Sequence, residues 1–282
     1  MSWFFLSVLH AFGMAVANIL RKALMKNDKN DPVASAILFQ FLGTAIVAVF
    51  SFSNGFVLPP IQEYPINFII QAVFWSLATM FLFKAYKQID ASEITIIVTL
   101  ESIVTIIAAV FFLKEVFNFV NIIGTIIVLV SVAYISFSSG KMAFNKGVFY
   151  AILYSIFAGI AVVNDTFMLN HSEVLSYLVI GWLTPGILLM AYKPSAIKKL
   201  VSLLSPKILT GHFIFTFIYV LGGFAFFYAL AFGGQASQVN TITQTSVVLT
   251  VVLATIFLRE RDHLFKKFIC AVLVTIGVVL LR

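Results

Sequence analysis

Apolar runs long enough to cross a membrane follow one another along almost the whole chain. A spanning helix needs roughly 20 mainly apolar residues. Ten segments satisfy this requirement: 2–24, 33–52, 65–86, 92–113, 117–137, 146–168, 173–191, 208–230, 235–258 and 263–281. Only 10% of the residues are charged, against roughly 25% in a soluble domain. Because lipid offers the backbone no hydrogen bonds, the segments must be helices. The sequence therefore predicts an all-α membrane protein with ten transmembrane helices.

One segment occurs twice. Residues 91–115 align without a gap with residues 236–260, and eight of the 25 positions are identical. Both copies begin with Ala-Ser and end with Phe-Leu-(Lys/Arg)-Glu. The offset is about half the chain, which predicts two halves, 1–138 and 139–282, of five helices each. With an odd number of helices per half, the second half enters the membrane from the opposite side, so the five-helix repeats are inverted.

The basic residues predict an orientation. Of the 18 Lys and Arg residues, all but Lys114 and Arg282 are expected in or beside the connections that follow the odd-numbered helices. The positive-inside rule then places these connections in the cytoplasm and both termini outside. In such a chain the net charge of +7 indicates cytoplasmic loops rather than nucleic-acid binding. We expect an integral protein of a prokaryotic inner or plasma membrane.

The ten helices, the two halves and the motifs at 112–115 and 257–260 resemble the EamA domains of the drug/metabolite transporter superfamily. The resemblance covers the whole chain, one domain per half. It implies a central cavity lined mainly by helices 1, 3, 4, 6, 8 and 9, with helices 5 and 10 at the periphery. Characterised relatives generally have cytoplasmic termini, whereas the charges here predict the reverse.

Glu101 is the leading candidate for a functional residue. It is expected near the bilayer centre, where a carboxylate is costly and usually faces a cavity or a partner. Thr105 lies one turn further along the same face. Glu101 is predicted either to couple protons to transport or to anchor a cationic substrate. The alternative is a protonated side chain that only bonds within the bundle.

Helices 1 and 6 carry further polar residues at corresponding positions. His10 could relay protons or simply bridge helices. Asn18 and Asn164, 146 positions apart, could pair across the cavity or hold neighbouring helices together. Asp165 is predicted to cap the outer end of helix 6. Four glycines are predicted to let helices pack closely: Gly13, Gly124, Gly159 and Gly277.

Helix 9 is polar for a membrane segment, which predicts that it lines a wet pathway. Asn240 and Gln244, one turn apart, are the candidate substrate contacts there. A structural hydrogen-bond network is the alternative for this helix. Trp75 and Tyr228 are candidate aromatic contacts for a cation, although most of the 31 Phe residues are expected to pack or face lipid.

Several kinds of chemistry have no signal in the sequence. It has no Walker loop and no His/Cys/Asp set with metal-ligand spacing, so neither a cofactor nor a metal is expected and the chain is not predicted to be an enzyme. The hypothesis is a secondary transporter that moves a small polar metabolite, such as an amino acid or amine, by alternating access. Protons are a candidate coupling ion, and the protein is expected to be a monomer or homodimer.

Three alternatives stay open. A lipid-linked sugar or lipid-phosphate translocator would need basic residues at cavity depth, and the sequence predicts none beyond the lysines beside the loops. An intramembrane enzyme would need a convergent set of titratable groups, whereas only His10 and Glu101 are predicted to lie deep. A scaffold would not need a polar ninth helix.

Overall fold

Helices form all of the regular structure in the part of the chain that the structure describes. This computed structural model describes residues 3–27, 30–113, 119–137, 145–232, 242–243 and 245–280. The α-helices in these residues are α1 Trp3–Lys26, α2 Pro32–Ser53, α3 Pro65–Gln88, α4 Ala91–Ile97, α5 Leu100–Leu113, α6 Phe119–Phe137, α7 Lys146–Leu169, α8 Val174–Tyr192, α9 Ser195–Leu203, α10 Pro206–Ala231, α11 Thr245–Leu253 and α12 Leu264–Leu280. A π-helical turn, Ala254–Leu258, continues α11.

The predicted spans correspond closely to these helices, with two differences. Within the described residues, six helices are long and apolar enough to cross a membrane: α1, α2, α3, α7, α8 and α10. The predicted fourth span is interrupted at Val98–Thr99, where α4 ends and α5 begins. The stretch 194–206, predicted as a break, contains the extra helix α9. The first part of the predicted ninth span lies outside the described residues, so the count of ten spans stays a prediction.

The helices pack in pairs that correspond between the two halves. Helix α1 packs against α10, and α3 packs against α7. In the predicted numbering these pairs are helix 1 with helix 8 and helix 3 with helix 6. Because helices 6 and 8 are the repeat counterparts of helices 1 and 3, each pair is the counterpart of the other. Two further pairs, α2 with α8 and α6 with α12, each join a helix to its own counterpart. This pattern is the one that a two-fold relation between the halves would produce.

Glycines permit the closest approaches between these pairs. A Cβ on Gly124 would lie 2.5 Å from the carbonyl oxygen of Gly277, on the partner helix α12. A Cβ on Gly159 would lie 2.8 Å from the side chain of Val104. At Gly13 the nearest atom would be the Cα of Gly222, 3.5 Å away. The close-packing prediction therefore holds for the α6–α12 and α5–α7 contacts, and more loosely for α1–α10.

Asp31 fixes the start of α2. Its carboxylate accepts hydrogen bonds from the backbone N–H groups of Val33 and Ala34, at 3.0 and 3.1 Å, as an N-cap residue does. Its other oxygen is 2.7 Å from Lys199 Nζ of α9. Burial alone would raise the pKa of Asp31, but the hydrogen bonds from Lys199 and Ala34 outweigh burial and lower the pKa below its usual value.

The sequence misplaced two of the basic residues. Arg21 and Lys22, at the end of the predicted span 2–24, were counted with the connection after helix 1, but both side chains are buried within the bundle and α1 continues to Lys26. Lys22 Nζ donates to the carbonyl oxygens of Tyr86 and Ile89, at 3.1 and 2.6 Å, near the end of α3. Because these cations lie inside the helix bundle, they count less toward the predicted orientation than free loop residues would.

Candidate functional site

A ring of aromatic side chains surrounds the guanidinium group of Arg21. The ring centroids lie 5.0 to 5.6 Å from the guanidinium carbon, within the range of cation–π attraction. Helices α2, α3 and α10 contribute the rings: Phe39, Phe83, Tyr86, Phe215 and Tyr219. We call these five residues the aromatic box. Arg21 itself is only 2% exposed.

The hydrogen bonding of Arg21 is incomplete. The side chains of Tyr86 and Tyr219 interact electrostatically with the guanidinium group. Its Nε is buried and has no acceptor. The ion pairs found among the described residues, Lys199–Asp31 and Lys267–Asp90, do not include it. Arg21 is therefore a buried cation that aromatic rings and hydroxyl groups stabilise without an acidic partner in the described part of the chain.

A line of tyrosines leads from Arg21 to Glu101. Tyr219 lies within electrostatic reach of both charged groups. Tyr154 of α7 interacts electrostatically with Tyr219 and with the carboxylate of Glu101. Together with Tyr86 these residues form what we call the central polar chain: Glu101, Tyr154, Tyr219, Arg21 and Tyr86. They come from α5, α7, α10, α1 and α3, which correspond to predicted helices 4, 6, 8, 1 and 3.

The central polar chain corrects one expectation and includes one of the predicted site residues. Arg21 was predicted beside a loop, but its side chain is buried within the bundle. Glu101 was predicted deep in the bundle, and its side chain lies among α5 and α7 while keeping partial exposure. Thr105 lies beside it, and its Oγ1 is 3.3 Å from the carbonyl oxygen of Gly159. Thr105 therefore contributes to the close contact between α5 and α7.

The polar residues of α1 bridge helices. His10 Nδ1 lies 2.8 Å from the carbonyl oxygen of Gly222 in α10. Since a carbonyl only accepts, the proton must be on Nδ1 of His10. Asn18 Nδ2 donates weakly to Thr250 Oγ1 of α11, at 3.5 Å. Both contacts match the alternative in which these side chains hold neighbouring helices together.

Asn164 does not pair with Asn18. Asn67 Nδ2, in α3, donates to Asn164 Oδ1 at 2.8 Å. Asn164 Nδ2 in turn donates to the backbone carbonyl oxygen of Asn67 at 3.1 Å. The proposed pairing of the two asparagines across the cavity is therefore wrong. Reciprocal amide bonds of this kind join α3 to α7, which is the commoner role of such residues in membranes.

Asp165 forms a partly buried cluster with two aromatic donors. Trp75 Nε1 donates to its Oδ2 at 2.8 Å, and the Tyr177 hydroxyl donates to its Oδ1 at 2.7 Å. The prediction that Asp165 caps helix 6 is wrong, because both carboxylate oxygens receive bonds from α3 and α8 instead. Trp75, predicted as an aromatic contact for a cation, thus has its N–H directed at a carboxylate.

The remaining candidates are not in the central polar chain. Tyr228 is 43% exposed, and its ring stacks on Phe232 with centroids 6.1 Å apart. It therefore lies on the outer surface of α10. Asn240 and Gln244 lie outside the described residues, as does most of the polar part of predicted helix 9.

The repeated motif has a clear role in one of its two copies. Glu260, at the end of Phe-Leu-Arg-Glu, accepts hydrogen bonds from the backbone N–H groups of Ala91 and Ser92, each at 3.1 Å, and from Ser92 Oγ at 2.7 Å. The last residue of one copy thus caps the helix that begins with the Ala-Ser of the other copy. Asp90, the residue before α4, makes no side-chain cap itself. We call this contact the Glu260 cap.

The chain's geometry just before Glu260 explains how the carboxylate reaches α4. The π-helical turn Ala254–Leu258 ends α11, and Arg259 adopts a left-handed conformation with φ of 58°. This residue reverses the chain direction as a left-handed helix terminus does. Next to the cap, Lys267 Nζ lies 2.7 Å from Asp90 Oδ2. The counterpart residues Glu115 and Ser237 lie outside the described residues.

Sequence and structure comparisons identify the family. The model of the EamA-like transporter family matches the chain twice, at residues 1–137 and 145–282. The chain belongs to this family. It is therefore an integral membrane protein of a transporter family. A solved crystal structure covers 99% of the chain with a TM-score of 0.56, over 94% of its own length and at 14% sequence identity, which shows a shared fold. A search of curated proteins finds no match.

Proposed function

We propose that this EamA-like protein is a secondary transporter that moves a small polar metabolite, such as an amino acid or amine, by alternating access between its two halves. The central polar chain carries the proposal. Charged and phenolic groups from five helices converge inside a bundle that is otherwise apolar, and intramembrane charges commonly mark substrate or ion pathways. The corresponding helix pairs supply the two related halves that such a mechanism needs.

Within this proposal Glu101 couples protons to transport or anchors a cationic group of the substrate. The electrostatic interaction of its carboxylate with Tyr154 joins α5 to α7, so a change in its charge acts directly on the contact between the two halves. With the termini outside, as the remaining loop charges favour, the Glu260 cap lies at the cytoplasmic end of the bundle.

Uptake into proteoliposomes tests the proposal. Purified protein is reconstituted and supplied with a mixture of amino acids, amines and sugars, and the entry of each compound is measured by mass spectrometry at two pH values. We expect at least one compound to enter faster than into protein-free vesicles. Glu101→Gln should abolish this uptake, its pH dependence or its selectivity for cations. Glu63→Gln, a change in an exposed loop residue, serves as the matched control.

One specific observation supports a second candidate function. A lipid-linked sugar or lipid-phosphate translocator needs a cation inside the bundle, and Arg21 is buried there. A single guanidinium enclosed by five rings is a small site for a phosphate-linked head group, so we rank this function second. Translocation of a fluorescent phospholipid by the reconstituted protein, with no uptake of the soluble mixture, would reverse the ranking.

A further inference from the structure

We propose that Asp165, near the end of α7, binds and releases the proton that drives transport. The inference rests on the proposed transport function and adds a proton-binding residue to it; the sequence had predicted only a helix cap at this position. The Asp165 carboxylate accepts a hydrogen bond from Trp75 Nε1 of α3 at 2.8 Å and another from the Tyr177 hydroxyl of α8 at 2.7 Å. We call these three residues the Asp165 cluster.

The first step concerns the charge of Asp165. Each oxygen of its carboxylate accepts a hydrogen bond from a neutral donor. The ion pairs found among the described residues, Lys199–Asp31 and Lys267–Asp90, do not include it. A carboxylate inside a membrane segment is costly, and such groups are usually paired or mark a proton or ion pathway. Since no ion pair in the described part of the chain holds Asp165 ionised, a proton can neutralise it.

The second step compares Asp165 with its neighbour Asn164. Asn164 joins α7 to α3 with a neutral amide, through two hydrogen bonds with Asn67. A neutral side chain is therefore sufficient to link these two helices at this level of the bundle. The carboxylate at the next position adds a group that gains and loses a proton, which a purely structural link does not require.

The third step locates the proton. An indole N–H can only donate, so Trp75 requires Oδ2 of Asp165 as an acceptor in both protonation states. A tyrosine hydroxyl can donate or accept. The proton therefore binds at Oδ1, and the Tyr177 hydroxyl turns from donor to acceptor. Because hydrogen bonds to an ionised acceptor are roughly twice as strong as neutral ones, proton binding weakens the links from α7 to α3 and α8.

The donors around Asp165 favour a proton over a metal ion. Hard metal ions take several oxygen ligands, whereas the hydrogen atoms of the Trp75 N–H and the Tyr177 hydroxyl face the carboxylate. Within the described residues, no three His, Cys, Asp or Glu side chains are grouped as metal ligands would be. A proton needs only one free position on one carboxylate oxygen, which the reversal of Tyr177 provides.

The surroundings of Asp165 allow its titration to be observed separately. Tyr177 is the titratable group that contacts it directly. Glu101 of α5 interacts with Tyr154, eleven residues before Asp165 and so about 16 Å away along α7. Four titratable groups lie in the connections at the same end of the bundle as Asp165: Glu63, Tyr64, His171 and Glu173. The other titratable groups of α7 and of the helices packed against it lie further along these helices: Lys84, Tyr86, Lys87, Glu93, Lys146, Tyr150 and Tyr192.

Infrared spectroscopy of the reconstituted protein tests proton binding directly. A protonated carboxyl group has a C=O stretching band that a carboxylate lacks, so difference spectra between pH values report proton binding. The spectra are recorded from about pH 4 to 9, the range in which carboxyl groups in proteins release their protons. We expect Asp165→Asn to remove one component of this band. Glu101→Gln, which removes a different carboxyl group, should leave that component in place.

Trp75 gives an independent readout. Trp3→Phe and Trp182→Phe together leave Trp75 as the one tryptophan of the chain. Because its N–H donates to Asp165, its fluorescence should change with pH together with the infrared component. The change should be absent from Asp165→Asn.

Two further variants assign the titration to the Asp165 cluster. Tyr177→Phe removes a donor to the ionised carboxylate, so it should raise the proton affinity of Asp165 about 10-fold and move the midpoint up by about one pH unit. This variant keeps Asp165 and covers the case in which Asp165→Asn does not fold. His171→Gln changes an exposed neighbour and should leave both readouts unchanged.

Transport in proteoliposomes links this proton to the cycle. With an imposed pH gradient, the unchanged protein should accumulate its substrate. Asp165→Asn should lose this accumulation and still exchange substrate across the membrane when no gradient is present.

Two results would overturn the inference. Spectra that do not respond to pH, or that respond equally in Asp165→Asn, would show that Asp165 binds no proton in this range. Accumulation by Asp165→Asn equal to that of the unchanged protein would show that the driving proton binds elsewhere. In both cases the uptake itself still supports the transport function, so the inference fails alone. An absence of uptake for every compound would instead refute the transport function, and with it the driving role of Asp165, even where Asp165 titrates.

Discussion

Removing the Glu260 cap should destabilise the protein markedly. Glu260 is only 6% exposed, and its carboxylate receives two backbone N–H bonds and one hydroxyl bond from α4. Hydrogen bonds to a charged group contribute about 1.5–3 kcal/mol each, and the three share one carboxylate and so do not add. In Glu260→Gln the side-chain NH₂ group would face the N–H and O–H groups that donate to the carboxylate. We expect a loss of about 2–4 kcal/mol in the free energy of unfolding.

The assay is reversible chemical unfolding in mild detergent, followed by tryptophan fluorescence. Ser92→Ala removes one of the three bonds and should cost about 1 kcal/mol. In a double-mutant cycle its effect should largely disappear when Glu260 is already Gln, because the two residues share an interaction. Glu63→Gln, in an exposed loop, should leave the unfolding free energy unchanged. An unfolding free energy for Glu260→Gln equal to that of Glu63→Gln would refute the reasoning.

Two further changes test the packing and the loop electrostatics. Gly124→Ala should destabilise the protein by about 1–3 kcal/mol, because its Cβ would lie 2.5 Å from the carbonyl oxygen of Gly277. Gly13→Ala has 3.5 Å of room and should be tolerated in the same chemical unfolding assay. The pKa of Asp31 is lowered in the folded protein. Its hydrogen bonds and ion pair therefore stabilise the fold fully at pH values above the Asp pKa of the unfolded chain, about 3.9. The stability deficit of Asp31→Asn should therefore be constant from about pH 6 to 8 and shrink as the pH falls below about 4; a deficit that grows toward acid pH would contradict this.

The sequence predicted the helices well because a membrane imposes a length and a composition on each of them. It also identified the motif that ends in Glu260, since the same residues recur at a fixed offset. It did not identify Ser92 as the partner. The contact joins residues 168 positions apart, and only the packing of the two halves brings them together.

The prediction was wrong about Arg21 for a local reason. Arg21 and Lys22 lie at the end of the predicted span 2–24, and the prediction counted them with the connection that follows it. Helix α1 continues two residues past that span, to Lys26, and the aromatic box comes from three other helices that no local pattern connects. Asp165 was misassigned in the same way, because its donors Trp75 and Tyr177 come from different helices.

Solvent access to the central polar chain from both sides of the membrane tests the central claim most directly. Thr105→Cys lies one turn from Glu101 and leaves both Glu101 and Tyr154 unchanged. It is made in a Cys270→Ala background, since Cys270 is the single native cysteine and is buried. On the same helix, Phe111→Cys, at a position 78% exposed on the bundle surface, is the lipid-facing control.

The reconstituted variants are treated with a membrane-impermeant thiol reagent, from one side or from the other. Alternating access predicts that the thiol of the Thr105→Cys variant reacts from both sides and that a transported compound slows the reaction, while the thiol of the Phe111→Cys variant stays unreactive. Reaction of the Thr105→Cys thiol from one side only, or from neither, would contradict the account.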